Sequence, residues 1–239
     1  MVTAAVALLF GFVLGSFYNV VIWRLPRGES IIYPASHCSS CQTQLQPVDL
    51  IPVLSFLMQR GRCRYCQRAI SWQYPAVELM TATGFAIFAY YTSGWQILVG
   101  LTLFSLLFVG SVIDLQHKII PNVLTLTGVV LGISFALFGI YIPIMDSLWG
   151  VVTGGGVLLL VSILSGGGMG MGDVKLLAMI GSFLGPMGSL ISLFVGSLIG
   201  SIVGLVYLKV TNQDRKTVIP FGPFLSIGGL VSFWWILIR

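Results

Sequence analysis

With 239 residues, a mean hydropathy of +0.99, 56% hydrophobic and 8% charged residues, the chain is too apolar for a soluble globular domain and leaves no room for a large one. It reads as a polytopic membrane protein. The formal charge of +5 does not mark a nucleic-acid binder, because six of the twelve Lys and Arg residues crowd into one short polar segment, Arg24 to Arg68, where topogenic charge explains them.

A membrane-crossing helix needs roughly 20 predominantly apolar residues. Met1 to Trp23 supplies the first span. It lacks the basic leading region and small-residue cleavage site of a removable signal peptide, so it is expected to stay as a helix with its N-terminus outside. Leu79 to Ile113 suits two short helices with a turn near Tyr91-Thr92-Ser93-Gly94. Ile119 to Met145 and Ser147 to Gly172 hold one each, Leu176 to Leu208 two more broken around Gly185-Pro186, and Thr217 to Ile238 the last. The predicted fold is all-α, about eight transmembrane helices with a small zinc-ribbon-like cytoplasmic insert between the first two. Its parts are residues 1–23, a first transmembrane helix; 24–75, a four-cysteine insert; and 76–239, a seven-helix transmembrane domain. Threaded from an outside N-terminus, this arrangement puts every Lys and Arg except Arg239 on the cytoplasmic side, as the positive-inside rule requires.

Within the insert, Cys38-Ser39-Ser40-Cys41 and Cys63-Arg64-Tyr65-Cys66 are two CxxC pairs. Each such turn offers two thiolates to one ion, and two turns complete a tetrahedral four-thiolate site; structural Zn2+ is the expected occupant, and a closed site braces rather than catalyses. A dithiol redox pair, an iron–sulfur ligand set and free thiols are the alternatives. A disulfide framework does not suit the reducing cytoplasm in which the arginines place the insert. His37 adjoins Cys38 but is not needed as a ligand.

Two acids end long apolar runs. Asp114 follows the run to Ile113, and Asp173 closes the glycine-rich stretch Gly166-Gly167-Gly168-Met169-Gly170-Met171-Gly172. Ionisable groups at a membrane boundary are costly and mark working sites. The threading brings both acids to the cytoplasmic boundary, where two carboxyls sharing a wet pocket hold a proton between them: one activates water while the other polarises a carbonyl. Gly170 and Gly172 are then a substrate loop open to close backbone approach; the loop lacks the Lys-Ser/Thr that a phosphate cradle needs. A zinc protease would need an HExxH motif, which neither His37 nor His117 begins. A capping or turn role for Asp114 is the structural alternative, and a proton- or cation-coupled transporter with the two acids as relays is the rival of a different class. The absence of an internal repeat, and acids at one face rather than the midplane, argue against a transporter.

With these motifs the chain resembles the prepilin leader peptidases of type IV pilus, type II secretion and competence systems, GxGD-type aspartic peptidases. The resemblance runs through Gly15-Ser16-Phe17-Tyr18-Asn19 to Arg24-Leu25-Pro26, the paired CxxC turns, Tyr74-Pro75-Ala76-Val77-Glu78-Leu79, Asp114 to Asn122, Gly170 to Leu176, and Pro220-Phe221-Gly222-Pro223-Phe224-Leu225. It implies that Asp114 and Asp173 are catalytic, that the substrate is a type IV prepilin or pseudopilin cut at the cytoplasmic face of the bacterial inner membrane, and that both termini lie outside, with lipid the other partner. Members that keep the cysteine insert also N-methylate the new N-terminus with S-adenosylmethionine; a peptidase without that activity is the alternative, since no GxGxxG opens a helix in the insert. Glu78, Lys175 and Arg24 are the candidates for binding the cofactor, against plain interfacial anchoring.

Overall fold

The computed structural model describes residues 2–166, 168–211 and 219–238, and every regular element within them is helical. The chain divides into two compact units, Met1–Ile97 and Leu98–Arg239.

In the first unit, α1 (Val2–Arg24) packs along α3 (Gln73–Tyr91). Gly11 and Gly15 explain the closeness: a Cβ on Gly11 would lie 2.6 Å from the Cα of Ala82, and one on Gly15 would lie 2.7 Å from the Cα of Glu78. Small residues four apart let two backbones touch where lipid supplies no hydrophobic drive, so packing alone holds the pair. Between these helices lie the 3₁₀ turns Leu25–Arg27 and Pro47–Leu50, the short α2 (Leu54–Met58), and two isolated antiparallel bridges. Asp49 ties the insert together. Its side chain, 2% exposed, accepts from the Gln46 amide at 3.1 Å, Gln59 Nε2 at 3.0 Å and the Tyr65 hydroxyl at 3.0 Å, and Arg64 lies 3.8 Å away.

The second unit is built on α7 (Met171–Thr211), against which α5 (Asn122–Leu137), α6 (Ile144–Leu164) and α8 (Gly222–Ile238) pack; α4 (Trp95–His117) runs into this unit from the end of the first. Gly150 of α6 meets Gly181 of α7 backbone to backbone, and Gly196 of α7 abuts the Phe224–Leu225 backbone of α8. At Gly185 (φ +71°) the helical path of α7 is interrupted, and Pro186 follows. Proline has no N–H to offer the carbonyl four residues back. That carbonyl, Ser182 O, instead accepts the hydroxyl of Ser147 from α6 at 2.7 Å. Freed backbone groups at membrane depth need such a substitute.

Four helical stretches are long and apolar enough to cross a membrane by length and composition: Val2–Arg27, Trp95–His117, Ile144–Leu164 and Met171–Thr211. The predicted turn at Thr92–Gly94 and the break at Gly185-Pro186 are both present. The count of eight spans is met only in part. Helices α5 and α8 have 16 and 17 residues, and at 1.5 Å per residue such lengths reach about 25 Å, short of the roughly 30 Å hydrocarbon layer. Helix α3 carries Gln73 and Glu78 and is not among the four.

Candidate functional sites

Helix α4 ends just past Asp114. Lys118 takes a left-handed φ of +55°, its amide bonds back to Asp114 O at 2.8 Å, and Pro121 caps the start of α5. This geometry leaves Asp114 in the last turn of α4, 5% exposed. Its Oδ2 accepts the backbone N–H of Gly222, the first residue of α8, at 3.0 Å. A helix N-terminus offers unpaired N–H groups to an anion, and one fixes this carboxyl. A Cβ on Gly222 would lie 2.7 Å from Asp114 Oδ2 and 3.1 Å from Ile120 Cδ1, so any larger residue there must push the carboxyl aside.

Asp173 sits in the first turn of α7, half-buried, with its amide bonded to Gly170 O at 3.1 Å. The loop before it is tied to α6 by the Ser162 hydroxyl, which donates to Met169 O at 3.1 Å, and it passes over the acid so closely that a Cβ on Gly170 would be 3.4 Å from Asp173 Oδ2. Ile120 joins the two halves: it packs where a Cβ on Gly172 would be 3.2 Å from its own Cβ, and it borders Gly222 as well. The two predicted acids and both loop glycines, Gly170 and Gly172, therefore gather where α4 ends and α5, α7 and α8 begin. Gly167 of the same loop lies outside the described residues. Lys175 is in the same unit, but its Nζ donates to Asn122 Oδ1 at 2.7 Å, linking α7 to α5.

The four cysteines are free thiols whose Sγ atoms all lie within 4.8 Å of one another. The edge of a four-thiolate tetrahedron about zinc is about 3.8 Å, from a Zn–S bond of about 2.3 Å, and Cys38 Sγ and Cys66 Sγ are 4.0 Å apart. The donor set fits a structural metal. The two knuckles have one design. In each, the first cysteine's amide bonds to the carbonyl five residues on (Cys38 to Thr43, 3.0 Å; Cys63 to Arg68, 2.8 Å), and the glutamine after the second cysteine bonds back (Gln42 to Cys38, Gln67 to Cys63, both 2.9 Å). Those glutamines share a left-handed φ, +57° and +59°. Hydrogen bonds from Thr43 hold the Cys41 thiol down at about 6, while Cys66 of the same cluster is pushed up to about 11. His37 bonds to Ala35 O and is not in the cluster.

A cavity of about 800 Å³ opens within the first unit, walled by α1, α3 and the insert, Cys38 and Cys63 included. Three of its lining side chains are polar and more than nine-tenths buried: Asn19 at 4%, Arg24 at 6% and Glu78 at 7%. Glu78 accepts the Val53 amide at 2.7 Å and a bond from Ser16, while Arg24 Nη1 donates to Ser30 O at 3.0 Å. Sequence reasoning named Glu78 and Arg24 but missed Asn19 and the cavity. It also missed Gly222, although a glycine in Pro220-Phe221-Gly222-Pro223 heading an apolar helix is a visible signal of close backbone approach.

Residues 9–92 match the model of the bacterial peptidase A24 N-terminal domain, and residues 101–205 match that of the type IV leader peptidase family. The chain is 36% identical over 258 residues to the prepilin leader peptidase/N-methyltransferase of Aeromonas salmonicida, covering 95% of this chain and 89% of that protein. It is 39% identical over 251 residues to the type 4 prepilin-like proteins leader peptide-processing enzyme of Escherichia coli, covering 94% and 91%. A third relative, the prepilin leader peptidase/N-methyltransferase of Pseudomonas aeruginosa, is 34% identical over 258 residues, covering 95% and 89%. No solved structure matches.

Proposed function

The chain belongs to the type IV leader peptidase family, and from that premise we propose that it cuts the basic leader from a type IV prepilin or pseudopilin with Asp114 and Asp173 and N-methylates the residue so exposed. The observation that carries the peptidase half is that two acids 59 residues apart in sequence, at the end of α4 and the start of α7, lie at one cluster of helix ends around Ile120, with a glycine loop over one of them.

One carboxyl, in its ionised form, takes a proton from water as the oxygen attacks the scissile carbonyl. Its protonated partner hydrogen-bonds the developing oxyanion and afterwards gives its proton to the leaving amine. The Gly222 amide holds Asp114 at a fixed rotamer through both steps. Gly170 and Gly172, lacking side chains, let the substrate backbone lie against the acids. The grouping of Asp114 and Asp173 at one cluster of helix ends and the clustering of Lys and Arg support a site at the cytoplasmic face of the inner membrane.

The four cysteines would hold zinc as a brace for the insert, remote in kind from the proton chemistry. Bound S-adenosylmethionine, for which Arg24 and Glu78 of the first unit's cavity are the candidate holding residues, would supply an electrophilic methyl to the new N-terminal amine.

The test is purified full-length enzyme with a synthetic prepilin peptide. Asp114→Asn and Asp173→Asn should each lose cleavage by about 10²-fold or more, the order expected of acid/base groups. Normal cutting by both variants would overturn the dyad.

A further inference from the structure

Of the charged side chains that line the cavity of the first unit (Arg24, Glu29, Asp49, Arg68 and Glu78), Arg24 and Glu78 are the two more than nine-tenths buried as whole residues, and among the described residues neither has an ion-pair partner. Arg24 and Glu78 are 6% and 7% exposed, and the ion pair recorded in the unit is Arg64–Asp49. A buried charge is costly unless it is paired or hydrogen-bonded. One N–H of Arg24 goes to Ser30 O, and Glu78 holds the Val53 amide, yet both net charges remain unanswered. A ligand that carries both signs answers them.

We propose that this cavity holds the methyl donor, S-adenosylmethionine, with Arg24 on the carboxylate of its α-amino-acid end and Glu78 on the ammonium; this deepens the methyltransferase half of the function above and rests on it. Size agrees, since about 800 Å³ lies within the range of ligand pockets of roughly 300–1,000 Å³. Asn19 supplies a further point of recognition. Its Nδ2 donates to Tyr74 O at 3.0 Å and Gly15 O at 3.4 Å, while its Oδ1 is buried with no donor among the described residues. A hydroxyl or amino group of the donor completes it. Phe17, Trp23 and Phe56 give the wall its aromatic part, which suits a purine.

A basic leader peptide is a poorer occupant. Arg24 and Arg68 of the lining oppose it, and of the lining acids Asp49 is committed to Gln46, Gln59, Tyr65 and Arg64, which leaves Glu29 and Glu78.

The experiment is titration calorimetry of full-length protein in nanodiscs with S-adenosylmethionine and with its decarboxylated form, on wild type, Arg24→Gln and Glu78→Gln. Gln at 78 keeps an acceptor for Val53 N–H, and metal content together with prepilin cleavage reports folding. Each substitution should weaken S-adenosylmethionine at least tenfold. The decarboxylated donor should bind wild type more weakly and lose nothing further in Arg24→Gln, because the missing carboxylate is the group Arg24 holds. Two additive losses, or Glu78→Gln that binds donor normally but raises the KM for prepilin, would overturn the assignment while leaving methyl transfer by the wild type as evidence that the functional reading stands. If wild type neither binds the donor nor adds a methyl to the cut N-terminus, the methyltransferase reading itself fails, and the assignment with it.

Discussion

The four-cysteine insert and the acid pair are held by opposite means. Each knuckle closes on itself within six residues, through amide bonds from Cys38 to Thr43 and from Cys63 to Arg68, and the same turn is built twice. Asp114 depends on an amide 108 residues away, and Asp173 on a loop anchored to another helix. Local bonding makes a part that a metal can lock. Distant bonding makes a part that exists only when several helix ends have met.

That contrast can be broken most sharply at the acids. Asp114→Asn and Asp173→Asn should reduce peptide cleavage by about 10²-fold or more with metal content unchanged, whereas Cys38→Ser should lose metal, by elemental analysis of purified protein, and open the insert to limited proteolysis, with a smaller effect on cleavage. Next in size is Gly222→Ala. Its methyl would press on Asp114 Oδ2, and because small misplacements of a catalytic group cost up to about 10²-fold, kcat should fall by at least tenfold while metal content stays at the wild-type level. Chelation should come third: stripping the ion removes the insert's protection from protease but not the thermal transition of the second unit. The smallest effect is expected from Ser147→Ala, which leaves Ser182 O without its donor and should cost about 1 kcal/mol, the scale of an interhelical hydrogen bond in a membrane protein, read as a modest fall in Tm.

What could be read from sequence follows the same division. CxxC spacing is a local statement, and the cysteines assemble as it says. The turn after Tyr91 and the break at Gly185-Pro186 are punctuated by residues that end helices, and both are found. The two acids were legible because a charge in an apolar run is rare enough to point at itself. What supports them was not: Gly222 is one of 29 glycines, and only the fold shows which carboxyl it touches. Asn19 and the cavity were hidden for a related reason, since pocket walls are drawn from α1, the insert and α3 at once. Four of the expected eight spans meet the length and composition of a crossing helix, and the rest were less legible because apolar runs do not reveal how much of each run becomes helix; α5 forms over 16 residues.

One consequence of the Gly222 seat concerns synthesis. The amide that positions Asp114 belongs to the last of the described helices, so a ribosome has extended the chain more than a hundred residues beyond the acid before that acid has its partner. A half-made chain carries the carboxylate without the seat, so with the acid pair proposed above, competence to cut should arrive late, once α8 has been made. On that proposal, a chain ended before Gly222 should still fold its thiol knuckles yet fail to cut a prepilin peptide.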